Sequence, residues 1–404
     1  MLMSRALANP ELISLAAGFV DQSTLPVAET HSALQSLFAD VEAACAALQY
    51  GTTPGYPPLR EMLLQLTLGS PSASDVRRQF DVEHVVVTAG SNQLLHLVLE
   101  SIANPGDIVL CAAPTYLVVL GTIANLGARS VGVAIDEQGM IPEALEESLR
   151  AIERAGELAR VRAIYLIPYF DNPCGVTMPL DRAARIVEIA RAWSRHHQIY
   201  VLADEAYREL RYSGDDIPSV LTLDAGRDTV IAAGTFSKSF SPGIRVGWGV
   251  LPDELIAPVC SQKGNIDFGS PNFSQHLMWR VLDSGQFSSH VLAIRAGYRL
   301  KLEAMRAAAD VHLKSIDGVR WQVPRGGLYL WVELPEGIDA GPNGKLFDAA
   351  IAEGVLYVPG QYCFPGEGEP VRCSTMRLSF GVQSSDRIGQ GIEALGRAVR
   401  RVLG

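Results

Sequence analysis

Ala163-Ile164-Tyr165-Leu166-Ile167 is an unbroken apolar run, without the polar residue that a strand with one wet face carries at every second position. Similar runs flank it: Val85-Val86-Val87-Thr88, Ile108-Val109-Leu110, Tyr200-Val201-Leu202, Val230-Ile231-Ala232 and Val246-Gly247-Trp248. Longer stretches with helical patterning separate them. Strands that are apolar on both faces need cover on both, so the reading is α/β, with a mainly parallel sheet between two layers of helices. Ligands in such a sheet belong at the carboxyl ends of strands.

Beyond a helix-patterned stretch at residues 288 to 308 the pattern becomes α+β. Val319-Arg320-Trp321-Gln322-Val323, Leu328-Tyr329-Leu330-Trp331-Val332 and Met376-Arg377-Leu378-Ser379-Phe380 read as strands, and residues 385 to 402 as a closing amphipathic helix. We therefore expect a large domain over residues 45-290 and a smaller α+β domain over 291-404. The segment 1-44 should form part of the small domain or pack on it.

With 48% hydrophobic and 19% charged residues, the 404-residue chain can bury a substantial core. A net charge of -10 and a pI near 5.4 argue against a broad nucleic-acid footprint or an anionic membrane surface, and toward small-molecule partners. The six cysteines show no C-x-x-C pair and no histidine cluster accompanies them, so they read as reduced thiols rather than metal ligands. No apolar run approaches the roughly 18 residues of a bilayer span. The start Met1-Leu2-Met3-Ser4-Arg5 lacks a signal-peptide core before Asn9-Pro10, so the expected compartment is the cytoplasm. His196-His197, after Arg195 at a helix end, reads as a cap or a solvated pair without chemistry.

Lysine is scarce, at Lys238, Lys263, Lys301, Lys314 and Lys345 alone. Lys238 follows an apolar strand in Ala233-Gly234-Thr235-Phe236-Ser237-Lys238-Ser239-Phe240-Ser241-Pro242-Gly243-Ile244-Arg245, among small hydroxyl residues and glycines. A partly desolvated amine there can attack a carbonyl and form a Schiff base, with the hydroxyls and Arg245 holding an anion beside it. A phosphate loop or an ordinary turn is the alternative. Thr88-Ala89-Gly90-Ser91-Asn92-Gln93 ends a strand at a glycine and opens a helix with Ser91 as its cap, and free N–H groups there suit a phosphate. Many helices begin this way with no ligand. In Val201-Leu202-Ala203-Asp204-Glu205-Ala206-Tyr207 an acid follows a buried strand and needs a cationic partner. The ring nitrogen of pyridoxal phosphate would be one, kept protonated by Asp204; an acid capping the next helix is the other reading.

Asn172-Pro173 after a strand, Asp204-Glu205-Ala206-Tyr207, and Ser237-Lys238 followed by Pro242-Gly243-Ile244-Arg245 together resemble fold-type I pyridoxal-phosphate enzymes, the class I/II aminotransferases. The resemblance spans nearly the whole chain. It looks nearest to the 2-aminoadipate and kynurenine aminotransferases, through Ile13-Ser14-Leu15-Ala16-Ala17-Gly18, Leu48-Gln49-Tyr50-Gly51, Gly55-Tyr56-Pro57-Pro58-Leu59-Arg60, Gly326-Gly327-Leu328-Tyr329-Leu330-Trp331 and Met376-Arg377-Leu378-Ser379. It implies pyridoxal 5'-phosphate as cofactor, Lys238 as its Schiff-base partner and later proton carrier, and Asp204 on the pyridine nitrogen. It also implies Tyr207 and Asn172 on the ring hydroxyl, Tyr116 stacked on the ring, and the phosphate on Ser91, Asn92, Thr235, Ser237 and Arg245. Tyr50 would reach the phosphate from a partner subunit, which implies a homodimer with shared active sites. Arg377 would grip the substrate carboxylate, aided by Asn172 and the backbone near Gly18.

The chain departs from the family at Phe170-Asp171-Asn172-Pro173-Cys174, where Gln is usual at 171 and Thr, Ala or Ser at 174, and at Asn92, where Gln is frequent. An inward-pointing acid at 171 would repel an acidic substrate side chain, which puts a 2-aminoadipate or glutamate-like donor in doubt. Cys174 reads as a small buried residue. The same fold and contacts also serve lyases, and an amino-acid-sensing domain of a transcription regulator is a third reading. The last needs a DNA-binding module, for which a motif beginning by Ile13 leaves no room. The expected activity is transfer of an amino group from an α-amino acid to a 2-oxo acid.

Overall fold

The computed structural model describes residues 12–69 and 79–404. The start of the expected 1-44 segment, with Met1 to Arg5 and Asn9-Pro10, lies outside the described residues. The large sheet runs in the order Glu367–Gly368, Arg129–Asp136, Ile108–Ala113, Val161–Leu166, Tyr200–Asp204, Val230–Thr235, Gly247–Val250, Val85–Thr88. On this path only Gly247–Val250 runs against its neighbours, pairing antiparallel with Val230–Thr235 and with Val85–Thr88. The α/β expectation therefore holds.

Alternation along each buried strand divides the core in two. Val86, Val109, Tyr165, Leu202 and Ile231 face one cluster, while Val87, Leu110, Ile164, Val201 and Val230 face the other. Helices Ser91–Ile102 and Asp253–Asp267 cover the first face; Pro57–Leu68, Leu180–Trp193 and Asn272–Asp283 cover the second. Two expectations need adjustment. The strand Arg129–Asp136 was not among those read from sequence, because Gly132 and its polar ends break the apolar run. Ser91 is the first helical residue rather than the cap: Gly90, at φ 87°, holds that place, and no side chain caps the helix. His197 bonds the Val161 carbonyl, so its role is structural.

A second sheet, in the order Arg320–Trp321, Tyr329–Glu333, Thr375–Ser379, Val358–Pro359, is antiparallel throughout. The closing helix Ser385–Leu403 buries Ile388, Ile392, Leu395 and Val399, one helical stripe, and lies on the long helix Gln286–His312. Ile13–Ser14 pairs with Val355–Leu356, which carries the N-terminal segment to this part of the molecule and leads Gly18 toward the large sheet's carboxyl edge.

Candidate active site

Five strands of the large sheet deliver candidate residues at or just past their carboxyl ends. Thr88 precedes the helix that starts at Ser91, Ala113 precedes Tyr116, Leu166 leads to Asn172, Asp204 ends its strand, and Thr235 leads to Lys238. The reversed strand then returns Arg245 to the same end.

Lys238 is half-buried and its Nζ donates to the Gly18 carbonyl at 2.7 Å. Asp204 is buried, accepting from the Tyr165 hydroxyl at 3.0 Å and the Ala206 N–H at 3.2 Å. Burial pushes its carboxyl up to about 6, although both hydrogen bonds and the Lys238 amine pull the other way. A buried acid that forms no ion pair among the described residues suits a protonated ring nitrogen.

That burial has a measurable cost in the ligand-free protein. Below the ordinary carboxylate value of 3.8 Asp204 is protonated in both states, so nothing is lost; as pH rises through about 6 the native state holds its proton longer than the unfolded chain. Stability therefore falls across that window by on the order of 2–3 kcal/mol. Asp204→Asn should remove that part of the slope, so melting temperatures of ligand-free wild type and variant should diverge between pH 4 and 6. Parallel curves would remove the assignment.

The phosphate candidates form one cup, open to solvent at Asn92 and Arg245. Thr235 Oγ1 donates to Ser237 Oγ at 3.0 Å, and Arg245 lies 3.5 Å from the same hydroxyl while donating to the Ala89 carbonyl at 2.6 Å. The cup is closely fitted. A Cβ on Gly90 would stand 2.6 Å from the Arg245 guanidinium, and one on Gly247 would strike the Gly90 backbone at 2.5 Å. The Tyr116 hydroxyl lies 3.5 Å from Asn92, and burial pushes its phenol up to about 12.

Arg377 is buried, donating to Asn172 Oδ1 at 2.8 Å and the Ala16 carbonyl at 2.9 Å, while its Nε has no partner. Its guanidinium lies 4.2 Å from the centre of the Tyr329 ring. The Asn172 amide reaches the Tyr207 hydroxyl at 3.4 Å, and Tyr207 shares a 3.1 Å hydrogen bond with Tyr329. Tyr329 was not among the expected site residues. Burial raises both phenols, but at Tyr329 the charges of Arg377 and Lys238 and the bond from Tyr207 outweigh it, so Tyr329 ends below its ordinary value and Tyr207 above. A Cβ on Gly18 would lie 2.7 Å from the Tyr329 hydroxyl, so a side chain there would have to push Tyr329 aside.

Tyr50 is not joined to this constellation within one chain; it is 82% exposed and its ring meets Phe268 edge-on at 5.5 Å. Asp171 is buried with one carboxyl oxygen unpartnered, and burial pushes it well above the usual carboxylate range. In its protonated form it carries no charge to repel a substrate. Cys174 is buried and burial raises its thiol, as a space-filling residue requires. A cleft of about 680 Å³ is lined by Pro114, Cys174 and Trp331 among others, and by none of the candidate residues.

The model of the family "Aminotransferase class I and II" matches residues 10–394. Aromatic-amino-acid aminotransferase 1 of Thermococcus litoralis is 34% identical over 398 residues, 97% of this chain and 89% of its own. A crystal structure of Pyrococcus horikoshii kynurenine aminotransferase with PMP superposes at a TM-score of 0.90 with 34% identity, covering 100% of this chain and 94% of that one. LysN, the α-aminoadipate aminotransferase of Thermus thermophilus, solved with N-(5'-phosphopyridoxyl)-L-leucine, gives 0.84 and 32%, covering 100% and 95%. With the family matched over nearly its full length, this chain belongs to the class I and II aminotransferases and is an enzyme that moves amino groups from amino acids to 2-oxo acids.

Proposed function

We propose that the amino group is carried on pyridoxal 5'-phosphate held at this constellation, with Lys238 as its covalent anchor. The observation that carries the reading is an amine, Lys238, whose charge acts on a buried acid, Asp204, that forms no ion pair among the described residues, beside an uncapped helix start. When bound, the cofactor supplies an electron-poor ring that stabilises negative charge developing at the substrate's Cα. Asp204 would keep the ring nitrogen protonated, Tyr207 and Asn172 would hold the ring hydroxyl, and Tyr116 would offer its ring face to the cofactor. Ser91, Asn92, Thr235, Ser237 and Arg245 seat the phosphate. Arg377, with its free Nε and the nearby Gly18 backbone, would orient the substrate carboxylate, and the Lys238 amine would move the proton at Cα.

The test is the visible spectrum of the protein after incubation with pyridoxal 5'-phosphate. An amino acid should convert the long-wavelength band to a shorter-wavelength form, and a 2-oxo acid should restore it. A persistent band with release of pyruvate or ammonia would mean elimination instead, and no band at all would sink the reading.

The division into residues 1-44, 45-290 and 291-404 is part of this proposal, supported by the four-stranded sheet, which lies wholly within 291-404, and by the pairing of Ile13–Ser14 with Val355–Leu356; the stretch 291-404 also lends the edge strand Glu367–Gly368 to the large sheet. So is a homodimer. Phe38, Val41, Leu48, Tyr50, Ile266 and Phe268 are all more than half exposed, on or beside elements tied together by the Phe38–Phe273 and Tyr50–Phe268 ring contacts. An apolar surface of this kind suits a second copy of the chain, which would bring Tyr50 to its partner's phosphate. Sedimentation at micromolar concentration should give a dimer; a monomer that retains cofactor would remove the shared site. Six unpaired cysteines suit a reducing compartment, and no helix among the described residues is long and apolar enough to cross a membrane, so we place the enzyme in the cytoplasm.

A further inference from the structure

Lys263 has no exposed side-chain surface, and nothing in the proposed chemistry uses it. It lies one turn before the end of helix Asp253–Asp267 and donates to both carboxylate oxygens of Asp267, each at 2.8 Å. Asp267 Oδ2 also accepts from Gln93 Nε2 at 2.7 Å, and Gln93 Oε1 accepts from the Ala89 N–H at 2.7 Å. From the other side Arg245 donates to the Ala89 carbonyl.

Stability does not account for a lysine in this place, since apolar groups of similar volume often replace a buried ion pair without loss. The pair instead fixes the polarity of the next link. A carboxylate only accepts, so the Gln93 amide turns its NH2 toward Asp267 and its oxygen toward Ala89. Ala89 is thereby held on both of its peptide planes, and Gly90, at φ 87°, passes the chain into helix Ser91–Ile102 at a set angle.

The geometry points to Lys263 as a positioning residue for phosphate recognition: the Lys263, Asp267 and Gln93 relay aims the free N–H groups at the start of that helix. This rests on the proposed role of the helix start as the phosphate seat. Lys263 does not touch the ligand and its charge is neutralised by Asp267, so the effect is one of direction rather than of field.

Equilibrium binding of pyridoxal 5'-phosphate and of unphosphorylated pyridoxal to the apo-protein, followed by tryptophan fluorescence, separates direction from general damage. Gln93→Leu removes only the link. The double variant Lys263→Met/Asp267→Leu replaces the ion pair with apolar groups and so leaves no buried charge unpaired. Each should weaken pyridoxal 5'-phosphate binding about tenfold while changing pyridoxal binding by less than about twofold. Parallel loss of both ligands, or no loss of either, would overturn the relay. Equal affinity of the wild type for the two ligands would overturn the phosphate seat itself, and the relay with it.

Discussion

Lys238→Ala should fail to develop the long-wavelength band with pyridoxal 5'-phosphate, and its amino-transfer rate should fall by about four orders of magnitude. Alanine removes at once the amine that anchors the cofactor and the base that moves the proton at Cα, and no other lysine stands in. Lys263 is tied to Asp267 and Lys301 to Asp21, while Lys314 and Lys345 lie exposed. The fold should survive, because among the described residues the Lys238 side chain gives up one hydrogen bond, that to the Gly18 carbonyl. Absorption spectra and single-turnover rates of the two proteins decide it, and a variant that keeps the band would remove Lys238 from its role.

Arg377→Leu should lower kcat/KM for amino acids by about 30-fold to several thousand-fold, the range expected when one partner of a buried charged pair is truncated. Two of its nitrogens are already occupied by Asn172 and the Ala16 carbonyl, which hold the guanidinium plane for an incoming carboxylate. Arg377→Lys should recover little of the loss, since an ammonium keeps the charge but not the fork. The absorption band should persist in both variants, which separates damage to substrate binding from damage to the cofactor site. An unchanged KM for amino acids would place the carboxylate elsewhere.

The strands that carry the site were legible because burial on both faces left them as apolar runs, and the residues just past their ends could be picked out by type. Pairing was not legible. Val246-Gly247-Trp248 reads like its neighbours, yet it is the strand that runs backward, and nothing local to it encodes direction. Tyr329 escaped for the same reason. Its run, Leu328-Tyr329-Leu330-Trp331-Val332, is a strand from sequence alone, but only the pairing of Trp331 with Arg377 puts Tyr329 on the arginine's face. Gln93 and Asp267 lie 174 residues apart, and Lys263 looked like any helical lysine until the fold buried it.

The reversed strand also bears on how the site assembles. Two parallel neighbours bring a single terminus each to the carboxyl edge, and the chain must cross the whole sheet between visits. Val230–Thr235 and Gly247–Val250 form a hairpin instead, so Ser237, Lys238 and Arg245 arrive together on one loop. Closure entropy rises only as about (3/2)RT ln n with loop length, so this half of the cup is inexpensive to close and local in contact order. Arg377 depends on contacts remote in sequence, with Asn172 and the Ala16 carbonyl, while Asp204 pairs with the strand that leads into the loop. Amine and phosphate anchor thus share one short loop, whereas the arginine for the substrate must be brought in from the far end of the chain.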